Sequence, residues 1–257
     1  MVADYSSFQL ANKVAIVTGP TFGIGETLAL ALADAGCHLA LASRNVPALE
    51  AVAEQVRARG RQALVVPTDV TVVPQISAMA AAVHKEFGQI DILLNNAAWT
   101  DTTPAVDVTE EEYDRTADTS LKGLFFSCQA VGRIMLEQQR GKIINLGSTL
   151  AATGFRGRSV YAAVKAGVHQ LTRALATEWG PGGVHVNCVA PCITETATRR
   201  NLFADADYRN WILREKLVSG RWAQPQDHVG AVLFLASPLS DMVMGHVLFV
   251  DGGWTIH

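Results

Sequence analysis

The sequence lacks the features that identify several classes of protein. Its 257 residues contain no run of basic residues and carry a net charge of -3, so we expect neither nucleic acid nor an anionic membrane as a partner. No apolar stretch is long enough for a membrane-spanning helix, and the first residues have neither the basic flank nor the apolar centre of a signal peptide. These absences predict a cytoplasmic protein.

Cysteine is also scarce, with four scattered residues: Cys37, Cys128, Cys188 and Cys192. Cys188 and Cys192 have no second pair of ligands and no histidine at the spacing of a metal site. We therefore predict reduced thiols, as is usual inside cells, and no metal site.

Hydrophobic residues are abundant and make up 49% of the chain, against 18% for charged residues. Short apolar runs such as Val14-Ala-Ile-Val-Thr18 and His38-Leu-Ala-Leu-Ala42 are separated by segments with helical periodicity. This alternation predicts an α/β fold: a single doubly wound Rossmann-like domain over residues 1–257, with a seven-stranded parallel sheet and helices on both faces. The helix before the fifth strand is expected to run from about Glu110 to Gln139.

The segment from Thr194 to Ala223 breaks this rhythm and is rich in Arg, Asp and aromatic residues. It is either a surface excursion or a lid over a substrate, because an insertion after the carboxyl end of a strand lies where substrates bind. We predict a substrate lid at about 194–223.

Three glycines, Gly19, Gly23 and Gly25, follow the first strand and begin the first helix. Glycine allows the backbone to turn tightly and to approach a pyrophosphate, which the N-terminus of a helix attracts. The spacing Gly-x-x-x-Gly-x-Gly also fits a tight turn without a ligand. Its place in the first strand–helix–strand unit favours binding of a dinucleotide.

The end of the second strand distinguishes between the two nicotinamide dinucleotides. Enzymes that use NAD tend to have an acidic residue there for the ribose hydroxyls, whereas this chain has Ser43-Arg44-Asn45. Arg44 is either a solvated surface residue or a partner for a 2′-phosphate through a charge-assisted hydrogen bond. We predict NADP(H) as the preferred cofactor, with NAD(H) as the second choice.

Tyr161 and Lys165 are four residues apart, so on a helix they share one face. An ammonium group beside a phenol favours the phenolate and lowers a pKa that starts near ~10. Such a phenol can pass a proton to or from a carbonyl or alcohol oxygen. The pair alone also fits an ordinary helix face. Ser148, thirteen residues upstream, and the glycine turn favour catalysis.

With these residues in place, the chain resembles the short-chain dehydrogenase/reductase family over nearly its whole length. The motifs that carry the resemblance follow one another in the order of the family: Thr18-Gly19-x-x-x-Gly23-Ile24-Gly25, Thr68-Asp69-Val70, Asn95-Asn96-Ala97-Ala98, Asn145-Leu-Gly-Ser148, Tyr161-x-x-x-Lys165 and Val250-Asp-Gly-Gly253. Each motif alone is weak, but together and at this spacing they are specific.

The resemblance implies a role for each of these residues. Tyr161 would be the general acid/base, Ser148 would bind the substrate oxygen and stabilise its developing charge, and Lys165 would lower the pKa of Tyr161 and hold the nicotinamide ribose. Hydride would pass between the nicotinamide and the substrate carbon. The implied cofactor contacts are Gly19, Thr21, Phe22, Gly23, Ile24, Gly25, Ser43, Arg44, Asn45, Asp69, Val70, Asn96, Ala97, Ala98, Tyr161, Lys165, Pro191, Ile193, Thr194 and Thr196.

The chain departs from the family pattern at several positions. Ser120 stands where the family often has Asn, whose backbone carbonyl supports a proton path from the lysine through a water molecule. Serine keeps that carbonyl, so Ser120 stays in the predicted catalytic set. Ala98 and Cys192 each replace a glycine beside the cofactor. Pro20 removes an N–H group from the turn that contains Gly19, Gly23 and Gly25, here called the phosphate turn. Phe22 stands where NADP-dependent members often have a basic residue.

The implied activity is the interconversion of a ketone and a secondary alcohol on a small molecule. Arg156 and Arg158 could hold a carboxylate or phosphate, but arginines near a surface loop are usually solvated, and we favour that interpretation. By family position, the candidate pocket residues are Trp99, Thr100, Thr149, Leu150, Phe155, Arg156, Ile193 and the segment from Leu202 to Trp211.

Two other functions stay open. A 3-oxoacyl-carrier-protein reductase would need basic residues to dock an acidic carrier, and at the matching positions the chain has Gln138, Gln139 and Gly182, with Arg140 adjacent. A non-catalytic sensor of NADP(H) is the third hypothesis, against which the complete catalytic set argues. The family is mostly tetrameric, so we expect a homotetramer built on the two helices that precede and carry the catalytic tyrosine.

Overall fold

The computed structural model describes residue 8, residues 10–196 and residues 205–256. All strands of its sheet are parallel and follow the order β3-β2-β1-β4-β5-β6-β7. The strands are β1 (Val14–Thr18), β2 (His38–Ser43), β3 (Ala63–Pro67), β4 (Ile92–Asn95), β5 (Gly141–Leu146), β6 (Val184–Pro191) and β7 (Val247–Val250). This sheet confirms the predicted doubly wound α/β fold.

Helices connect the strands and cover both faces of the sheet. They are α1 (Gly23–Asp34), α2 (Val46–Ala58), α3 (Val73–Phe87), α4 (Glu110–Ala117), α5 (Gly123–Glu137), α6 (Ser159–Trp179), α7 (Ala206–Glu215) and α8 (Val229–Ala236). Within the described ranges, none of the helices is long and apolar enough to cross a membrane.

Alternate residues of each strand point to opposite faces of the sheet, because the side-chain period of a strand is two. Ala15 and Val17 of β1 pack in one apolar cluster with α1, α2 and α8. Val14 and Ile16 pack in a second cluster with α3, α5 and α6. These two buried layers fix the strand ends, so the residues that follow the strands are positioned by a rigid core.

The long helix predicted before the fifth strand is interrupted, which corrects that prediction. α4 ends at Ala117, a π-helical turn spans Asp118–Lys122, and α5 begins at Gly123. A Cβ on Gly123 would lie 2.5 Å from the carbonyl oxygen of Val70, so α5 packs tightly against the segment after β3. A π-helical turn inserts one residue and rotates the side chains that follow it around the helix axis.

The predicted lid is described only in part. Residues 197–204, which include Leu202, lie outside the described residues. The described part contains α7, whose Ile212 packs with Cys192 and Trp254 in a small apolar cluster beyond the end of β6. That α7 belongs to a substrate lid stays a prediction.

Candidate active site

The strand order reverses beside β1, whose neighbours are β2 on one side and β4 on the other. In open α/β sheets, ligands bind at the carboxyl ends of the strands at such a switch point. A cavity of about 820 Å³ lies there, and its wall includes Ser148 and all the predicted cofactor residues, from Gly19 to Thr196. The structure thus brings these residues together. Their contacts with a cofactor stay a prediction.

The phosphate turn depends on glycine at three positions. Gly19 and Gly23 have φ angles of 65° and 60°, in the left-handed region that favours glycine. Gly25 has an ordinary backbone conformation, but a Cβ there would overlap the carbonyl oxygen of Gly19 and the Nδ2 atom of Asn96. Nδ2 of Asn96 donates to the carbonyl oxygens of Thr18 and Gly19, at 3.2 and 2.7 Å. Asn96 therefore fixes the shape of the turn in addition to lining the cavity.

These features fit a pyrophosphate group. Gly19 and Gly23 have no side chain that would cover the turn, and the turn leads directly into the N-terminus of α1, where backbone N–H groups attract anions. Phe22, the residue before α1, makes no side-chain hydrogen bond to the first turn of the helix. A dinucleotide pyrophosphate would be held here by backbone N–H groups.

Arg44 and Asp69 form a charged end of the cavity beside the phosphate turn. Nη1 of Arg44 lies 3.8 Å from Oδ2 of Asp69, and the arginine side chain is 71% exposed, so this ion pair is weak. Partial burial of Asp69 opposes ionisation, but hydrogen bonds from Thr71 and the charge of Arg44 lower the pKa of its carboxyl. Asn45 caps α2 by accepting a hydrogen bond from the N–H group of Ala48. The exposed guanidinium is able to turn toward a 2′-phosphate.

Ser148, Tyr161 and Lys165 meet on the wall of the same cavity. Ser148 follows β5, and Tyr161 and Lys165 lie on adjacent turns of α6. The Lys165 side chain is buried, and its Nζ donates to the carbonyl oxygen of Leu146 at 2.6 Å. The same Nζ lies 5.7 Å from the centre of the Tyr161 ring. The ammonium group is therefore held at a fixed place beside the phenol.

Ser148 is positioned by a residue that the sequence motifs do not identify. Its N–H group donates to Nε2 of the buried His169 at 3.4 Å. Burial lowers the pKa of His169 to about 4, so at pH 7 the ring is neutral and able to accept this bond. A Cβ on Gly147 would overlap the same ring, so the chain comes close to His169 just before Ser148. The indication that the sequence offers is a histidine on the apolar face of the helix that carries Tyr161 and Lys165.

Ser120 is not among the residues of the cavity wall and lies in the π-helical turn. It is buried, and its Oγ accepts a hydrogen bond from the N–H group of Trp99 at 2.9 Å and donates to the carbonyl oxygen of Trp99 at 3.1 Å. The side chain thus fixes the segment that follows β4. That the backbone carbonyl of Ser120 supports a proton path from Lys165 stays a prediction.

The segment after β6 forms another side of the cavity. Thr194 is buried, and its Oγ1 donates to the carbonyl oxygen of Cys192 at 3.0 Å and lies 3.0 Å from Nε2 of His228. Thr196 approaches the phosphate turn so closely that a Cβ on Gly23 would lie 3.0 Å from its Cγ2. The Thr194 hydroxyl is thus engaged within the protein, and we expect Thr196 to be the closer of the two to a pyrophosphate.

Aromatic side chains form the end of the cavity away from the phosphate turn. The ring centre of Phe155 lies 5.9 Å from that of Trp254 and 6.1 Å from that of Trp211, and Tyr208 of α7 also lines the wall. Trp254 is buried, and its Nε1 donates a hydrogen bond to Oγ1 of Thr153 at 3.2 Å. The C-terminal residues thus complete the cavity, which the sequence motifs do not indicate.

The two arginines before the catalytic helix have different positions. Arg156 is exposed and is not among the residues of the cavity wall. Arg158 is half-buried and lines the cavity, so it is not the solvated surface residue that the sequence suggested. Its Nη1 donates to Oγ1 of Thr100 at 2.7 Å and to the carbonyl oxygen of Asp101 at 2.8 Å. A cationic group therefore lies on the cavity wall that also contains Ser148 and Tyr161.

Among the described residues, no group of three or more His, Cys, Asp or Glu side chains is arranged to hold a metal ion. The cysteines are buried free thiols, and burial raises the pKa of each to about 12. The thiols are thus neutral at pH 7 and poor nucleophiles.

Known proteins are similar to this chain in sequence and in fold. A family model described as enoyl-(acyl carrier protein) reductase matches residues 19–255. The 2-dehydro-3-deoxy-D-gluconate 5-dehydrogenase of Escherichia coli (strain K12) is 38% identical over 97% of this chain and 98% of its own. The gluconate 5-dehydrogenase of Gluconobacter oxydans (strain 621H) is 36% identical over 97% of each chain. A crystal structure of a gluconate 5-dehydrogenase from Burkholderia cenocepacia J2315, in complex with NADP and tartrate, is 34% identical with a TM-score of 0.94, covering 99% of this chain and 100% of that chain.

The chain therefore belongs to the short-chain dehydrogenase/reductase family. It is an NAD(P)-dependent oxidoreductase that acts on CH–OH groups and interconverts secondary alcohols and ketones. The family match runs from the phosphate turn through Ser148, Tyr161 and Lys165 and beyond β7, so it spans the whole of the site described above.

Proposed function

We propose that this enzyme interconverts a secondary alcohol and a ketone on a sugar acid, an open-chain hydroxy acid of the gluconate type, with NADP(H) as the preferred cofactor. The observation that carries the reaction type is the meeting of Ser148, Tyr161 and Lys165 with the phosphate turn on the wall of one cavity. The names of the relatives, which are dehydrogenases of gluconate or of a dehydro-deoxy-gluconate, support the substrate class. So does tartrate, a hydroxy dicarboxylate, in the Burkholderia structure.

Each side chain has a distinct task in this reaction. Oγ of Ser148 accepts a hydrogen bond from the N–H group of Leu150 at 3.1 Å, so its own hydroxyl proton is left to donate to the substrate oxygen. Tyr161 gives a proton to that oxygen during reduction and takes it back during oxidation. Lys165, fixed by Leu146, keeps its ammonium group beside the phenol. The bound nicotinamide supplies or takes up the hydride.

Absorbance at 340 nm tests this function. The purified enzyme is incubated with NADP⁺ and sugar acids or neutral polyols, and with NADPH and keto acids, diketones, aryl ketones or acyl thioesters. Turnover of sugar acids or their keto forms above the other classes would support the proposal. Turnover of acyl thioesters alone would establish the carrier-protein reductase. Binding of NADPH without turnover of any compound in either direction would establish the sensor.

The surface where a carrier protein would dock argues against the 3-oxoacyl-carrier-protein reductase. The side-chain amide of Gln138 accepts a hydrogen bond from the N–H group of Ile90 at 3.0 Å and donates one to the carbonyl oxygen of Ile90 at 2.9 Å. The guanidinium of Arg140 donates to Gln89 at 3.1 Å and lies 3.6 Å from the carboxylate of Asp91. These groups serve the fold, and the arginine already has an acidic partner, so we favour a free small molecule as the substrate.

Arg44 supports the preference for NADP(H). Its guanidinium lies on the cavity wall, is largely exposed and has a weak partner in Asp69, so it can form charge-assisted bonds with a 2′-phosphate. The NADP bound by the Burkholderia relative agrees with this preference.

Arg44→Asp is expected to reverse the preference between the two cofactors. The new carboxylate would repel a 2′-phosphate and accept hydrogen bonds from the ribose hydroxyls of NAD(H). The ratio of kcat/KM with NADPH to kcat/KM with NADH should therefore fall by about 100-fold or more in steady-state kinetics. Lys85→Asp makes the same charge change at an exposed residue outside the cavity wall and should leave the ratio unchanged. An unchanged ratio in Arg44→Asp would rule out Arg44 as the selector.

We also infer a homotetramer, because apolar side chains are exposed on two separate surfaces. Phe125 is exposed on α5, and Leu239 and Met242 are exposed before the edge strand β7. A closed tetramer with two kinds of twofold interface results if each of these surfaces pairs with its own copy. Light scattering should therefore give four times the chain mass of 27.5 kDa. The mass of a monomer or a dimer would contradict this inference.

We place the enzyme in the cytoplasm. Its four cysteines are all free thiols, as expected of a protein that works in a reducing compartment.

A further inference from the structure

We propose that Arg158 binds the carboxylate of the substrate and thereby sets the orientation of the substrate in the cavity. None of the motifs that carry the family resemblance includes this residue. The inference rests on the proposed function, because it supplies the cationic residue that a sugar-acid substrate requires.

Arg158 stands close to the catalytic tyrosine. It is the residue that immediately precedes α6, three positions before Tyr161. Arg158 and Tyr161 line the main cavity together and also share the wall of a smaller cavity next to it. A carboxylate bound by Arg158 would therefore place a hydroxyl-bearing carbon further along the same molecule beside Tyr161 and Ser148.

The guanidinium of Arg158 is held in place by the loop after β4. Its Nη1 donates to Oγ1 of Thr100 and to the carbonyl oxygen of Asp101, at 2.7 and 2.8 Å. That loop is itself braced by Arg115, which pairs with the Asp101 carboxylate at 3.2 Å and lies 4.9 Å from the centre of the Trp99 ring. An arginine stays charged at any working pH, and its planar fork matches the two oxygens of a carboxylate. A side chain that is already fixed loses little entropy when it binds an anion.

The other charged side chains of the described cavity wall are Lys165, Arg44 and Asp69. Lys165 is bonded to Leu146 beside the phenol, and Arg44 and Asp69 lie together beside the phosphate turn. The first turn of α6 contains no acidic residue, so the positive end of this helix adds to the charge of Arg158. Among the described residues of the wall, Arg158 is the cation besides Lys165 that lies beside Tyr161.

A purely structural role for Arg158 is the alternative, because the same two hydrogen bonds join the loop after β4 to the beginning of α6. A structural role predicts that removing the guanidinium lowers turnover of charged and neutral substrates equally. An anion-binding role predicts a loss that is specific to substrates with a carboxylate.

Kinetics with D-gluconate and D-glucitol separates the two roles, since these compounds differ only in having a carboxylate or a hydroxymethyl group at one end. In Arg158→Gln, kcat/KM for gluconate should fall by about 10- to 100-fold, and that for glucitol by less than about threefold. Arg158→Lys keeps the charge and should recover part of the loss. Arg156→Gln removes the same charge from an exposed residue two positions away and should leave both values unchanged. Equal losses on both substrates in Arg158→Gln would overturn the proposal.

Calorimetric titration with tartrate tests the same inference without turnover. Wild type and Arg156→Gln, each saturated with NADP⁺, should bind tartrate, and Arg158→Gln should bind it about 10-fold more weakly or worse. This result would support the carboxylate site even if gluconate were not oxidised, in which case only the proposed function would fail. Equal binding by the three proteins, or no binding by the wild type, would overturn the role of Arg158.

Discussion

Tyr161→Phe is expected to lower kcat by roughly 100- to 10,000-fold, the range that a positioned general acid/base contributes. Phenylalanine keeps the ring beside the ammonium group of Lys165 and removes only the hydroxyl group that transfers the proton. Without that donor, Ser148 alone must stabilise the charge that develops on the substrate oxygen. The affinity for NADPH should hardly change, because the phosphate turn and the remainder of the cavity wall are untouched.

Steady-state absorbance at 340 nm measures kcat, and fluorescence titration with NADPH measures the affinity for the cofactor. Tyr113→Phe removes the same hydroxyl group from an exposed tyrosine of α4 that is not among the residues of the cavity wall, and it should behave as the wild type does. Retention of most of the turnover in Tyr161→Phe would mean that Tyr161 is not the general acid/base. A parallel loss of NADPH affinity would mean that its main role is to hold the cofactor.

The strands and their parallel arrangement could be predicted from the sequence because each strand is a short apolar run between helical segments. β1 begins at Val14 and ends at Thr18, as predicted, and all five of its residues are buried, as is typical of a strand covered on both faces. The π-helical turn at Asp118–Lys122 could not be predicted. It accompanies the close approach of Gly123 to Val70, a contact between segments that are far apart in the chain.

That Ser148, Tyr161 and Lys165 meet on one wall could be predicted, because their spacing requires only one strand end and one helix. Which of the two arginines before that helix lines the cavity could not be predicted from the sequence. Arg156 and Arg158 have the same chemistry and are separated by Gly157, whose φ of 69° turns the chain between them. Only one of the two lines the cavity, and that depends on the path of the backbone. The support of Ser148 by His169 likewise depends on packing between β5 and α6.

Gly25→Ala is expected to raise the Kd for NADPH by roughly 10- to 100-fold and to lower the free energy of unfolding by about 1–3 kcal/mol. Gly25 has no positive φ, so the backbone conformation itself does not disfavour alanine. The added Cβ would overlap the carbonyl oxygen of Gly19 and the Nδ2 atom of Asn96. Since a backbone carbonyl cannot rotate away, the turn must move, or the 2.7 Å hydrogen bond between Asn96 and Gly19 must break.

Gly230→Ala is the control that separates packing from the general effect of replacing a glycine. Gly230 also lies in the first turn of a helix, α8, without a positive φ, and a Cβ there would meet no atom within 4 Å. Alanine should stabilise α8 by up to about 1 kcal/mol, because glycine is a poor helix former, and should leave NADPH affinity unchanged. Fluorescence titration and urea denaturation measure the two effects in both variants. Wild-type affinity in Gly25→Ala would mean that the glycine turn is not what binds the pyrophosphate, whereas weaker binding in Gly230→Ala as well would show that the loss is not specific to the turn.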